Sequence, residues 1–233
     1  MNTQESIRKK IKGMIPSNLL IQRLDHRASN CVLLTFDDGP HPEVTPEVLK
    51  RLEKYEARAI FFIPGRRIEK APYLLKIIQE QGHLIGNHTY IHSNGSQPWF
   101  LAYWRDLLQC QSLIEENTGQ RPKLFRPVGG EITPAALIVP WVMGLKTMIW
   151  SLDVSDWKCQ KPEEAHRRGE DLCQKLSPGD IVLLHDDNPN VLIILDLILP
   201  MIKSNNLDLK SGVDFLKIKN DRICLNKNIK SLL

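Results

Sequence analysis

The sequence predicts an α/β fold in which parallel strands and helices alternate around a closed or nearly closed β/α barrel. Short apolar runs recur along the 233 residues, and longer segments with helical spacing separate them. Clusters of ionisable residues follow these runs, as expected where the loops after parallel strands share one rim. A hydrophobic fraction of 42% can fill one sizeable core, so we expect one main domain.

The predicted elements follow from these runs and from helix start and stop signals. The first strand is expected over 32–36, followed by a helix with Thr45 as its N-cap and Pro46 at its first position. Further strands are predicted over 59–63, 83–86, 124–126, 146–150 and 181–184. Helices should begin near Ala71-Pro72, run from about 100 to 116 with Trp104, Leu107 and Leu108 inward, and run over 191–199.

Charge, cysteine content and hydropathy restrict the class of protein. A net charge of +4, from 31 basic and 27 acidic residues, gives no argument for nucleic acid as a partner. Five scattered cysteines without a C-x-x-C pair argue against a disulfide framework and indicate a reducing compartment. We find no signal-peptide pattern and no apolar run long enough to span a bilayer, so a cytoplasmic location is expected.

The sequence divides into an N-terminal segment, 1–29, and the remainder, 30–233. We expect the remainder to be the catalytic domain. The segment carries a basic run, Arg8-Lys9-Lys10, and its apolar residues would form a stripe on one helix face. A packed helix with a solvated basic face is the simpler interpretation. Peripheral association with an anionic membrane surface or a carrier lipid is the alternative.

Two adjacent carboxylates end the first predicted strand, where Asp37-Asp38 is followed by Gly39-Pro40. Neighbouring acids at a buried strand end repel each other and resist desolvation, so a cation or a proton is needed to relieve one of them. His88 and His92 lie four residues apart and would share one face if the segment formed a helical turn. Two histidines and one carboxylate form a metal-ligand set that leaves open positions, with zinc as the default ion and iron, cobalt or nickel as alternatives.

Three further polar clusters follow the later strands. Arg126 precedes Gly129-Gly130, and a guanidinium there could hold a carboxylate while glycine backbone N–H groups approach an oxyanion. Asp153 and Asp156 lie between two tryptophans, and His185 ends the last strand. Taken singly, each cluster also fits a surface arginine, a capped turn or a structural histidine.

Together these clusters resemble the five ordered motifs of the NodB-like polysaccharide deacetylases, carbohydrate esterase family four, over about residues 30 to 210. The matching motifs are Thr35-Phe36-Asp37-Asp38-Gly39-Pro40, His88-Thr89-x-x-His92, Arg126-Pro127 with its glycines, Asp153-x-x-Asp156-Trp157 and Leu183-x-His185. The resemblance implies a distorted (β/α)7 barrel. It also implies a metal-dependent hydrolase that removes N-acetyl groups from the amino sugars of a polysaccharide, oligosaccharide or carrier-linked glycan.

The resemblance assigns a role to each matching residue. Asp38, His88 and His92 would hold the metal, Asp37 would be the general base, and Arg126 would keep Asp37 ionised and oriented. His185 would be the general acid, oriented by Asp156. The expected substrate contacts are Trp157 and Leu183 around the acetyl methyl, a backbone N–H near Gly129 at the oxyanion, and Asp153.

One motif departs from the family pattern, and other functions stay open at this point. The third motif usually reads Arg-Pro-Pro-Tyr-Gly, whereas Val128 and Gly129 stand at its second Pro and its Tyr. A phosphatase of the haloacid dehalogenase type needs its acids two residues apart, which Asp37-Asp38 does not provide. Hydrolysis of another small-molecule C–N bond and a non-catalytic saccharide-binding module are the remaining alternatives.

Overall fold

The computed structural model describes residues 15–16, 19–25, 30–92, 100–214 and 216. The helix expected in the basic N-terminal segment therefore falls mostly outside the described residues, and the boundary after residue 29 stays a prediction. Within that segment, Leu20–Ile21 forms a short strand, β1, which pairs in parallel with the strand Lys146–Met148. This part of the segment thus belongs to the same sheet as the strands that precede the polar clusters.

One sheet of eight parallel strands forms the centre of the fold, in the spatial order β1-β6-β5-β4-β3-β2-β8-β7. The α/β barrel class expected from the sequence is confirmed, with helices around a strongly curled sheet. The strands after β1 are β2 (Leu33–Asp37), β3 (Ala59–Ile63), β4 (Leu84–Asn87), β5 (Leu124–Phe125), β6 (Lys146–Met148), β7 (Leu152–Asp153) and β8 (Ile181–His185).

Helices connect most of these strands. The α-helices are α1 (Val44–Lys54), α2 (Gly65–Ile68), α3 (Tyr73–Glu80), α4 (Phe100–Thr118), α5 (Pro134–Val142), α6 (Pro162–Lys175) and α7 (Val191–Ser204). Two 3-10 turns, Val128–Gly130 and Asp156–Lys158, follow β5 and β7. Because the strands run in the same direction, their carboxyl ends and the loops after them lie on one rim of the sheet.

The middle of the sheet is buried on both faces. Every residue of β2, β3 and β8 is buried, which explains why these strands read as continuous apolar runs rather than as alternating patterns. In the pairing of β2 with β8, Asp37 is opposite His185. Two of these fully buried strands, β2 and β8, therefore end side by side in ionisable residues.

The expected N-cap of the first helix is wrong. Helix α1 begins at Val44, and Thr45 is a buried residue inside its first turn. The cause is His41, whose Nδ1 accepts from the backbone N–H groups of Glu43 and Val44 at 3.3 Å. The Thr45 side chain is consequently free to bond across the fold, to Asp186.

Other differences from the predicted elements concern helix faces and helix ends. Leu108 was expected inward but is 41% exposed, whereas Leu107 is buried. Helix α7 continues through Pro200 to Ser204 instead of ending at 199.

The sequence pattern does not predict helices α5 and α6. Helix α5 is apolar around its whole circumference, so it shows no helical period. Helix α6 buries mainly Ala165, Gly169 and Leu172, which are too few large apolar residues for a clear period.

Within the described ranges, no helix has both the length and the apolar character that a membrane span requires. Four cysteines in these ranges are free thiols, namely Cys31, Cys110, Cys159 and Cys173.

Candidate active site

The carboxylates at the end of β2 have different surroundings. Asp37 is the last residue of the strand and is buried, and its Oδ1 accepts from NH1 of Arg126 at 2.7 Å. Asp38 is the first residue outside the strand and has a φ of 70°, in the left-handed region that Asp tolerates better than most residues. This change of backbone direction separates the two side chains.

The metal-binding histidines predicted from the sequence follow β4, but they do not lie on a helical turn. Thr89 and His92 have φ values of 67° and 52°, so the segment is an irregular loop. Asp106 of α4 holds this loop, because its carboxylate accepts from the backbone N–H groups of Tyr90 and Ile91 at 3.1 and 3.0 Å. The two histidines therefore do not share the face of a helical turn, as they would in a helix, but their imidazole centroids still lie 5.1 Å apart.

A backbone hydrogen bond determines which nitrogen His88 presents to the site. Its Nδ1 lies 2.7 Å from the carbonyl oxygen of Arg126, so Nδ1 carries the proton and donates it. The other nitrogen, Nε2, lies 3.5 Å from Oδ1 of Asp38 and 3.7 Å from Oδ2 of Asp37. Burial lowers the pKa of His88, which favours the neutral imidazole that a metal ligand needs.

One candidate ligand atom from each of Asp38, His88 and His92 lies within 4.8 Å of the other two. Nε2 of His92 is 2.7 Å from Oδ1 of Asp38 but outside hydrogen-bond geometry, so this buried oxygen has no hydrogen-bond donor among the described residues. Burial acts to raise the pKa of Asp38, but the adjacent histidines, His92 above all, lower it to about 2. An ionised carboxylate with an unsatisfied oxygen and two imidazoles fits a divalent cation.

Arg126 connects Asp37 to the interior of the sheet. Its side chain is fully buried, and NH1 donates both to Asp37 and to Oγ1 of Thr35, the latter at 2.8 Å. Its guanidinium carbon also lies 4.1 Å from the centroid of the Phe62 ring. These contacts come from β2 and β3, so the guanidinium of Arg126 is held in one orientation. The Asp37 carboxylate that accepts from it is held as well.

His185 and Asp156 form a second buried pair beside the first. Asp156 accepts from the imidazole Nδ1 of His185 at 2.8 Å and from its backbone N–H at 2.7 Å. Burial alone would lower the pKa of His185, but the bond and charge of Asp156, with help from Asp37 and Asp38, raise it to about 9. At neutral pH the imidazole is therefore protonated and can donate.

The expected substrate-contact residues have mainly local interactions. Leu183 is buried in β8, two residues before His185, while Trp157 is 55% exposed and packs under the ammonium group of Lys158 at 4.8 Å. Asp153 is exposed, and its Oδ1 accepts from the backbone N–H of Ser155. Gly129 has a φ of 63° with open space where a side chain would be.

The structure thus brings together Asp38 with His88 and His92, Asp37 with Arg126, and His185 with Asp156. The contacts of Trp157, Asp153 and Gly129 given above do not reach these groups. Two contributors were missed by sequence reasoning, Asp106 and Asn87, whose Oδ1 accepts from the N–H of Thr89 at 2.9 Å. Neither belongs to a recognisable motif, and only their contacts identify them. Chemically, the site combines a candidate cation site, a fixed carboxylate and a protonated imidazole, which is a set that a hydrolytic reaction can use.

Comparisons with known proteins identify relatives of this chain. The model of the family "Polysaccharide deacetylase" matches residues 25–147. A peptidoglycan-N-acetylglucosamine deacetylase of Bacillus cereus is 35% identical over 193 residues, covering 81% of this chain and 89% of the relative.

Solved structures share the fold over most of the chain. The crystal structure of the Bc1960 peptidoglycan N-acetylglucosamine deacetylase, bound to a hydroxamate-type benzamide, has a TM-score of 0.75 and 28% identity. That match covers 88% of this chain and 93% of the other. BA3943 of Bacillus anthracis, described as a CE4-family pseudoenzyme, also has a TM-score of 0.75, with 26% identity over 84% of this chain and 68% of its own.

The fold of this chain is thus similar both to a protein named as a deacetylase and to one described as a pseudoenzyme. Fold similarity alone does not distinguish an active from an inactive protein, so the side chains at the rim have to do so. The extent of the family match and the identity to the Bacillus cereus relative establish the lineage itself. This chain belongs to the polysaccharide deacetylase family.

Proposed function

We propose that this chain is a metal-dependent hydrolase that removes the acetyl group from N-acetylated amino sugars of a glycan. The observation that carries the proposal is the division of the Asp37-Asp38 pair. Asp38 lies with His88 and His92, whereas Asp37 is bound to Arg126. Two ion pairs are buried at this rim, Asp37 with Arg126 and His185 with Asp156. Buried ion pairs are costly to desolvate, and a module that only binds a saccharide would gain nothing from them.

The residues that would hold the cation are Asp38, His88 and His92, and zinc suits this nitrogen and oxygen donor set. Cobalt, nickel and iron accept the same ligands. A divalent cation bound here supplies a Lewis acid for the amide carbonyl and for the attacking water. The hydrogen bond from His88 Nδ1 to the Arg126 carbonyl orients one ligand before any ion binds.

Asp37 acts as the general base in this proposal. Its Oδ1 is occupied by Arg126, while its Oδ2 lies 3.7 Å from Nε2 of His88, on the side of the metal ligands. That oxygen can accept the proton of the attacking water. The buried guanidinium stabilises the carboxylate before the proton is transferred and fixes its orientation.

His185 acts as the general acid that protonates the leaving amine. Asp156 occupies its Nδ1, which leaves Nε2 to deliver the proton. The register of β2 and β8 places His185 opposite Asp37, so the acid and the base belong to one site. We assign the apolar wall around the acetyl methyl to Leu183 and Trp157, and an oxyanion contact to the backbone N–H near Gly129.

The glycan is proposed to contain N-acetylglucosamine, the sugar named for the Bacillus cereus relative. Asp153, at the exposed rim, is retained as a substrate contact in this proposal. Val128 and Gly129 provide no ring at the position where the family pattern has Tyr, and the space beside Gly129 is open. A bulkier sugar substituent could therefore be accommodated on this side of the groove.

The proposal is tested by removing and restoring the metal. Protein stripped with a chelator should release no acetate from N-acetylglucosamine oligomers, and addition of zinc or cobalt should restore release because the carbonyl then has its Lewis acid. Acetate is measured by a coupled assay, with peptidoglycan fragments as a second substrate. Metal-loaded protein that releases no acetate from a panel of N-acetylated glycans would contradict the proposal.

The raised pKa of His185 predicts the alkaline side of the pH profile. The acid is active only while protonated, so kcat/KM should fall as pH rises through about 9. The Asp156→Asn variant loses the charge that raises the pKa of His185, whereas burial still lowers that pKa. The alkaline fall in kcat/KM should therefore move toward neutral pH by roughly one to two pH units. Identical alkaline limbs in the two proteins would show that Asp156 does not tune His185.

A further inference from the structure

Strand β8 is followed by a pair of neighbouring acids, Asp186 and Asp187, and the reaction proposed above uses neither of them. Asp187 is half-buried and its Oδ2 lies 2.9 Å from NH2 of Arg67. Asp186 is fully buried. A buried acid that takes no part in the chemistry needs another explanation, because burying a carboxyl group is unfavourable unless its contacts compensate.

The contacts of Asp186 lead to the loop that carries Asp38. Its Oδ2 accepts from the Thr45 hydroxyl at 2.5 Å, and the oxygen of that hydroxyl accepts from the backbone N–H of His41 at 2.8 Å. The backbone N–H of Asp186 donates to the carbonyl of Asp37 at 3.3 Å. Asp186 is thus tied to both ends of the loop that runs from Asp37 to His41.

Between these two ends, the loop lies directly on the carboxyl group. A Cβ atom added to Gly39 would lie only 2.2 Å from each oxygen of Asp186. Asp38, immediately before this glycine, has a φ of 70°. A non-glycine residue persists in that region only where its surroundings hold it.

We propose that Asp186, acting through Thr45 and Gly39, is a positioning residue for the metal ligand Asp38. It holds the loop in the conformation that directs Asp38 toward His88 and His92 and away from Asp37. The inference rests on the proposed function, since it assigns Asp38 to the metal.

Thr45→Val tests this inference, with Thr45→Ser as the rescuing variant. Valine has the shape of threonine without the hydroxyl, so the link from Asp186 to His41 is lost, whereas serine keeps it. Thr45→Val should bind cobalt about 10- to 100-fold more weakly than wild type, the usual range when an outer support of a metal ligand is removed. Thr45→Ser should bind as wild type does.

The visible absorption spectrum of bound cobalt gives a readout that a loss of stability alone would not move. It should change in Thr45→Val and not in Thr118→Val, a control that removes a hydroxyl bonded to the Ile114 carbonyl far from the rim. Circular dichroism shows whether each variant is folded. If Thr45→Val does not fold, Asp186→Ala serves instead, with the same expected loss of affinity, because it removes both the acceptor of the Thr45 hydroxyl and the carboxyl group on which Gly39 lies.

The outcomes separate the two proposals. Unchanged cobalt affinity and spectrum in a folded Thr45→Val or Asp186→Ala would overturn the inference and leave the proposed function intact. Wild-type protein that binds no divalent ion would overturn the metal site and this inference together. Weaker binding with a changed spectrum, restored in Thr45→Ser, would support the positioning role.

Discussion

Asp37→Asn is expected to reduce kcat by about 10²- to 10⁴-fold, the contribution typical of general acid–base catalysis, while metal content stays near that of wild type. The amide keeps the shape of the carboxylate and can still accept from Arg126, but it cannot take a proton from water. Asp37 is bound to Arg126 and lies outside the group of three proposed metal ligands, so the ion should remain. Acetate release and metal analysis on the same preparation measure both effects.

Two variants control for this result. Asp196→Asn makes the same chemical change on the exposed side of α7, where Asp196 pairs with Arg51, and should leave kcat unchanged. His92→Ala removes one ligand and should lower the bound metal. Full activity in Asp37→Asn would show that another group is the base, and unchanged metal in His92→Ala would remove His92 from the ligand set.

Arg126→Met is expected to lower the free energy of unfolding by roughly 3–5 kcal/mol and to remove activity. The side chain is fully buried against the Phe62 ring, so the methionine can fill much of its volume, but Asp37 is left without its counter-ion. Breaking a buried ion pair from one side typically has an effect of this size. Urea unfolding followed by circular dichroism measures the change.

The double variant Asp37→Asn with Arg126→Met separates the ion pair from general packing. Removing both charges leaves no uncompensated ion, so the loss of stability should be clearly smaller than the sum of the two single losses. Additive losses would mean that the pair contributes no coupling energy and that Arg126 stabilises the core only through its packing.

The sequence was sufficient for the residues to which we assign the chemistry and insufficient for those that hold them in place. Asp37, Asp38 and His185 could be found because each follows an apolar run that can only be a buried strand. Asp106 and Thr45 could not, since they act through hydrogen bonds between segments far apart in sequence, and nothing local marks such contacts. Of the two neighbours expected to face inward, Leu107 is buried but Leu108 is exposed. Helical spacing specifies a buried face only approximately, and residues at its edge can lie on either side.

The pairing of β2 with β8, in which Asp37 is opposite His185, also constrains how this site can change in evolution. Adjacent strands lie about 4.7–4.9 Å apart, so the distance between the two backbones is set by main-chain hydrogen bonds that no side-chain substitution removes. A shift of either strand by one residue would turn Asp37 or His185 to the opposite face of the sheet. Insertions and deletions within these two strands should therefore be excluded among active relatives, whereas loop lengths beyond them are free to vary with the glycan.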